Sequence, residues 1–350
     1  MEEEKIVFGN GALWAIALYL VSMIGVGYYA RIKRKGNTMA DFYLAGRSLG
    51  MAVLFLTLYA TQYSGNTLFG YTGKSYLIGF EWTVSVLFMF SIIVGYMLFA
   101  PRLVLLARSE DFITPGDFIT YRFKSRALTL ISTLLMIYAL CNYTLAQLKA
   151  MGAAVEGITD GAVPSAYGII ALAIIMVIYE TLGGMRSVAW TDVLQGLLLL
   201  SGALLAGAAV VVSLGGIEPF FSKVAELDPK QLTMHDPTES KWNPWWILTF
   251  CLFGSLASIV QPAQWMRFYA AKSSKTLRQS AVIFAVVLPA CFLFGVMLVG
   301  LVGRAVHPPI DPNLPLIAEN LPKGLNKPDQ IAVFMLSEQL PAMLGGLGVI

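Results

Sequence analysis

The sequence predicts an all-α membrane protein, one transmembrane domain over residues 1–350, and three observations predict it. The first is composition: 57% of the 350 residues are hydrophobic and only 13% are charged, where a soluble domain carries roughly a quarter. The second is segregation. Charges fall in short clusters between apolar runs long enough to cross a bilayer core of about 30 Å, which takes roughly 20 helical residues. The third is that two of these runs are interrupted by polar residues with a glycine or a proline. Helices follow because hydrocarbon offers an open backbone no partner. The alternating pattern of a membrane barrel is absent.

Nine spans are expected, at about 10–30, 48–73, 83–105, 127–155, 164–182, 190–214, 244–266, 279–305 and 330–350. The first follows the acidic stretch Met1–Lys5. It lacks a basic n-region and a small-residue cleavage site, so it reads as a retained helix and not a signal peptide. Lys and Arg sort between alternate loops. One set holds Arg31, Lys33, Arg34, Lys35 and Arg47, then Arg102, Arg108, Arg122, Lys124 and Arg126, then Arg186, then Arg267, Lys272, Lys275 and Arg278. These loops are assigned to the cytoplasm, which puts the N-terminus outside a cell membrane. Most opposite basic residues lie in two long loops, near 215–243 and 306–329, which translocate largely regardless of charge. Trp242, Trp245 and Trp246 sit where an outer interfacial belt belongs.

Several function classes fall away. A net charge of +3 gives no sign of a nucleic-acid partner. Cys141, Cys251 and Cys291 lie inside apolar runs and suggest neither a metal site nor a disulfide. His235 and His307 are expected as ordinary solvated residues of outer loops. With no metal-ligand cluster and no nucleophile–base pair, neither an enzyme nor a resident cofactor is expected.

The interruptions carry the functional signal. The second span contains Tyr59-Ala-Thr-Gln-Tyr-Ser-Gly-Asn-Thr67. Gln62, Ser64, Asn66 and Thr67 are costly against lipid. Gly65 lets the backbone leave helical geometry and free carbonyls that coordinate a small cation. A helix–helix interface rich in small and polar residues is the plainer alternative. The seventh span contains Gly254-Ser-Leu-Ala-Ser-Ile-Val-Gln-Pro262, where Pro262 removes a helix hydrogen bond beside Gln261. A discontinuous helix in each of two halves points to a transporter site. Five positions separate these spans, which fits a five-helix repeat.

Ionisable groups within spans are a functional signal by default. Asp192 opens the sixth span, either as an ion ligand or as a helix N-cap. Lys149 reads as snorkelling toward the outer interface, and Glu156 and Glu180 lie near span ends.

At the level of motifs, Asp41-Phe-Tyr-Leu-Ala-Gly-Arg-Ser-Leu-Gly50 resembles the segment leading into the second span of the sodium:solute symporters. That family includes proline, pantothenate, sialic acid and sodium–glucose carriers. Gly183-Gly-Met-Arg-Ser-Val-Ala-Trp-Thr-Asp-Val-Leu-Gln195 resembles its most recognisable signature, and Gln261-Pro262 with Arg267-Phe-Tyr-Ala-Ala271 is similar to its seventh span.

The resemblance implies the leucine-transporter fold. A leading helix, 10–30, precedes inverted five-helix repeats, the first over about 48–214 and the second, from about 244, incomplete and C-terminally truncated in this chain. It implies sodium-coupled symport of a small organic solute of the amino acid, carboxylate, vitamin or sugar type, by alternating access. The backbone carbonyls of Ala60 and Tyr63 match the main sodium ligands. Asp192 matches a carboxylate tied to sodium coupling. Gln62, Ser64, Thr67 and Gln261 match positions facing solute, and Arg47 an arginine supporting coupling. Gln62 stands where proline-type carriers have an aspartate. The hydroxyl ligands of the main sodium site are expected beyond Ile350. A symporter-like sensor domain and a proton-coupled carrier are the alternatives.

Overall fold

The computed structural model describes residues 9–33, 36, 38–64, 67–158, 163–234, 243–311, 320–322, 325, 327–332 and 334–335. Gly65, Asn66, His235, Trp242, the side chain of Glu156 and most of the ninth expected span lie outside them.

The leading helix α1 spans Gly9–Ile32. Short α2, Met39–Leu44, opens on Thr38, whose hydroxyl accepts from the Asp41 N–H, as an N-cap does. After Gly50, α3 runs Met51–Gln62. The helix stops there because Tyr63 turns extended, with φ −90° and ψ 112°. The chain resumes as a π-helical turn, Thr67–Tyr71, continued by α4, Thr72–Ile78. Two helices of unequal length follow: α5, Val84–Ser109, and α6, Pro115–Phe123, which starts on a Thr114/Asp117 capping box.

Next comes α7, Arg126–Ile158. The fifth and sixth expected spans join as one helical run, α8, Ser165–Ser213, broken at Gly184 (φ 57°, ψ −147°). Only glycine takes that conformation readily, so the expected boundary survives as a single residue. Two short helices, α9 Ile217–Ala225 and α10 Pro229–Leu232, lead to α11, Pro244–Ile259, and α12, Pro262–Ala270. The axes on either side of that break bend by 55°. Finally α13, Ser274–Phe292, passes through a π-helical turn, Leu293–Met297, into α14, Leu298–Val306.

Four of these runs are individually long and apolar enough to cross a membrane, and a fifth if the bent pair is one span. The count, made over the described residues, is below the nine expected because the helical runs Thr67–Ser109 and Ser165–Ser213 each join stretches of two expected spans, the first span is represented by the shorter apolar stretch Ala17–Ile32, and most of the ninth lies outside the described residues.

The helices pack as two groups. In one, α3, α5, α11, α12 and α13 surround a core containing Tyr59, Tyr63, Tyr96, Phe268, Phe284 and Phe292. In the other, α1 and α7 lie against α8, and α3 joins the groups by running along α8. Outside the helices, the Leu49 N–H donates to the Ala270 carbonyl (3.1 Å) and the Lys272 N–H to the Leu49 carbonyl (2.9 Å). One nitrogen of Arg108 reaches the carbonyls of Arg47, Ala271 and Lys272 at 3.2, 2.8 and 2.7 Å. The expected solvation of His307 is corrected. Its ring packs edge-on against Phe334 at 4.9 Å and its carbonyl accepts from the Tyr76 hydroxyl at 2.8 Å, so it is half-buried.

Candidate functional site

The broken end of α3 builds the site. In a continuing helix the Ser64 N–H would bond the carbonyl of Ala60. It turns instead to the Thr67 hydroxyl at 3.2 Å, while the Thr67 and Leu68 N–H groups fold back on the Ser64 carbonyl at 2.8 and 3.3 Å. The last carbonyls of α3, where a helix carries partial negative charge, therefore end at the break. α12 begins in the same region, with Pro262 at its first turn and Gln261 as the extended residue before it.

Two cavities flank this end. One, of about 360 Å³, is lined by Gln62, Ser64, Thr67 and Gln261 together with Thr61, Gln147, Tyr71, Phe88 and Tyr143. The structure thus brings together the four expected solute-facing residues, and among the described residues no ionised side chain lines their cavity. The other, of about 420 Å³, is lined by Ala60, Tyr63 and Asp192, with Tyr19, Tyr179, Gln195 and Arg267. Thr61, Ser64, Tyr143 and Gln147 belong to both walls.

Polar side chains are fixed from behind. The Tyr96 hydroxyl and the Gln264 amide nitrogen both donate to the Gln62 side-chain oxygen, each at 3.4 Å. Asp192 is buried in an ion pair with Arg267 at 2.7 Å and accepts from the Thr57 hydroxyl. Arg267 also donates to Thr57 (2.9 Å) and to the Ala263 carbonyl (3.0 Å). A second buried pair joins Arg186 of α8 to Asp41 of α2 at 2.9 Å. Both pairs tie α8 to the segments around α3. Arg47 lines neither cavity. Its guanidinium donates to the Ala107 and Phe112 carbonyls at 2.9 and 3.1 Å and pairs with exposed Asp111 at 3.2 Å.

Sequence reasoning did not single out Tyr96, Gln264, Thr57, Arg267, Tyr143 or Gln147 as site residues. Gln147 had a readable signal, a carboxamide inside an apolar run. The others gain their role only from tertiary contact.

The sodium:solute symporter family profile matches residues 42–347. This chain belongs to that family. The chain is 25% identical over 339 residues to the sodium/pantothenate symporter of Haemophilus influenzae, covering 96% of this chain and 66% of the relative. It is 27% identical over 341 residues to the sodium/glucose cotransporter of Vibrio parahaemolyticus, covering 90% and 59%. Among solved structures it superposes on a Na+-coupled sialic acid symporter in a substrate-bound outward-open state. The TM-score is 0.78 at 20% identity, over 98% of this chain and 68% of that one. That likeness shows the fold, the leucine-transporter type. The chain thus spans two thirds or less of the length of these curated relatives, and the family and its apolar helices make it an integral membrane protein.

Proposed function

We propose that the chain forms the solute cavity and one wall of the sodium site of a sodium-coupled symporter working by alternating access. The observation that carries this is the meeting of two interrupted helices, α3 and α12, at two adjoining cavities. Sodium rests on the carbonyls of Ala60 and Tyr63, at the partially negative end of α3, and hard cations accept such neutral oxygens. The solute, a small organic molecule, contacts Gln62, Ser64, Thr67 and Gln261 across the shared wall. Because the end of α3 borders both cavities, filling one fixes the wall of the other. Two ligands that favour one state then bind cooperatively, and the coupling is reciprocal.

Asp192 serves the ion indirectly at first. In the pair with Arg267 its charge is already balanced through one carboxylate oxygen, which weakens its pull on sodium. Opening the end that carries Arg47, Arg108 and Arg186, which we assign to the cytoplasm of a cell membrane with the N-terminus outside, requires the Asp192–Arg267 and Asp41–Arg186 pairs to part. Arg47 supports coupling by fixing the start of α3 to the end of α5. The test is uptake of labelled pantothenate, glucose and proline into proteoliposomes, with and without an inward sodium gradient. Gradient-dependent uptake supports the reading. Uptake that ignores sodium and follows pH would move it to a proton-coupled carrier.

A further inference from the structure

We propose that Tyr96 and Gln264 are positioning residues that turn the Gln62 carboxamide so that its NH2 group, and not its oxygen, is presented to the solute cavity. The inference rests on reading this cavity as the solute site. It adds the class of group recognised there: a carbonyl, carboxylate or hydroxyl oxygen, and not an ammonium.

The argument starts from Tyr96. Its side chain is 2% exposed, and a phenol has a single proton to donate. Its hydrogen-bond partner is the Gln62 side chain at 3.4 Å. In the structure the oxygen of the carboxamide, its acceptor end, faces Tyr96. The amide nitrogen of Gln264 reaches the same oxygen at 3.4 Å. Gln264 is fully buried and its own oxygen has no hydrogen-bond partner among the described residues. An unsatisfied buried acceptor is costly and calls for an explanation. With Gln62 in this orientation, turning Gln264 over would set its oxygen against that of Gln62. With two donors behind it, the Gln62 oxygen is committed, and the two N–H bonds of the half-buried amide remain for the cavity it lines.

The chemistry follows. At this position the chain presents a neutral donor to the cavity. An ammonium placed there meets N–H dipoles of the wrong sign. A solute oxygen is satisfied.

Two measurements test this. Isotope-edited infrared spectra of the full chain, with 13C-labelled glutamine and Gln62→Glu subtracted, isolate the Gln62 carbonyl stretch. It is expected to rise in Tyr96→Phe and in Gln264→Leu, as each removes a donor from that oxygen. An unmoved band in both, with the fold intact by circular dichroism, overturns the orientation. The second is competition, by 3-methylbutanoate, 3-methylbutanamide and 3-methylbutylamine, against whichever of labelled pantothenate, glucose or proline is taken up. The acid and amide are expected to compete and the amine not, with the order reversed in Gln62→Glu. In Tyr96→Phe and Gln264→Leu, KM is expected to rise about three- to tenfold while half-saturation by sodium stays fixed. Preferred competition by the amine in the wild-type chain overturns the inference. Absence of uptake of all three probes counts against the transport reading instead, and the infrared shift still decides the orientation.

Discussion

Replacing Arg267 with methionine is expected to cost about 3–5 kcal/mol of stability, the usual penalty for stranding one member of a buried pair. The Arg267 and Asp192 side chains are 10% and 11% exposed but border the larger cavity, so water reaches part of the stranded charge and the loss falls toward the lower part of that range. The same guanidinium also holds the Thr57 hydroxyl at 2.9 Å and the Ala263 carbonyl at 3.0 Å. Four groups from α3, α8 and α12 therefore form one network, and groups in one network do not contribute additively. Removing both charges leaves no buried ion, which is often close to neutral. Arg267→Met/Asp192→Leu is thus expected to lose clearly less than the sum of the single losses. The assay is equilibrium unfolding of the three variants in mixed micelles. Single losses under about 1 kcal/mol, as for a solvated surface pair, would refute the reasoning. Additivity within about 0.5 kcal/mol would do the same.

Three further outcomes are expected. Gly184→Ala places a Cβ in a positive-φ conformation, 2.4 Å from the Phe42 carbonyl oxygen; it should lower thermal stability by about 1–3 kcal/mol or more, and an unchanged melting temperature would count against the break. Gly300→Ala sets a Cβ 2.3 Å from the Thr72 carbonyl oxygen, so α4 and α14 must separate, read as a lower midpoint in the same unfolding assay. Gln62→Ala should weaken solute uptake more than sodium affinity, and unchanged uptake kinetics would show that the solute face is elsewhere.

The main features of the fold were legible because hydrocarbon punishes polar residues locally. Gln62, Ser64 and Thr67 in one run and Gln261-Pro262 in another marked both interruptions, and α3 and α12 end and begin where those residues stand. The join at Gly184 was read as two spans, since Gly183-Gly184 breaks a helical pattern without revealing that helical geometry resumes at once. The π-helical turns at Thr67–Tyr71 and Leu293–Met297 left no sequence mark, because they depend on packing between segments. The cavity residues of α3 and Gln261 were recoverable from local chemistry. The partner of Asp192 was not, as Arg267 lies 75 residues away and read as one more basic residue at a span end. The support behind Gln62 was equally hidden: Tyr96 in α5 and Gln264 in α12 look like ordinary members of an apolar run and a helix start.

The central claim is that sodium and solute share the end of α3, and their mutual effect on binding tests it most directly. Sodium affinity would be titrated on the purified chain in nanodiscs with and without saturating amounts of the probe taken up best, and the probe's affinity with and without sodium. The account predicts that each ligand tightens the other by the same factor, about 5- to 150-fold for coupling of ordinary size, and that Gln62→Ala weakens the probe while sparing sodium. Affinities that ignore each other would contradict it.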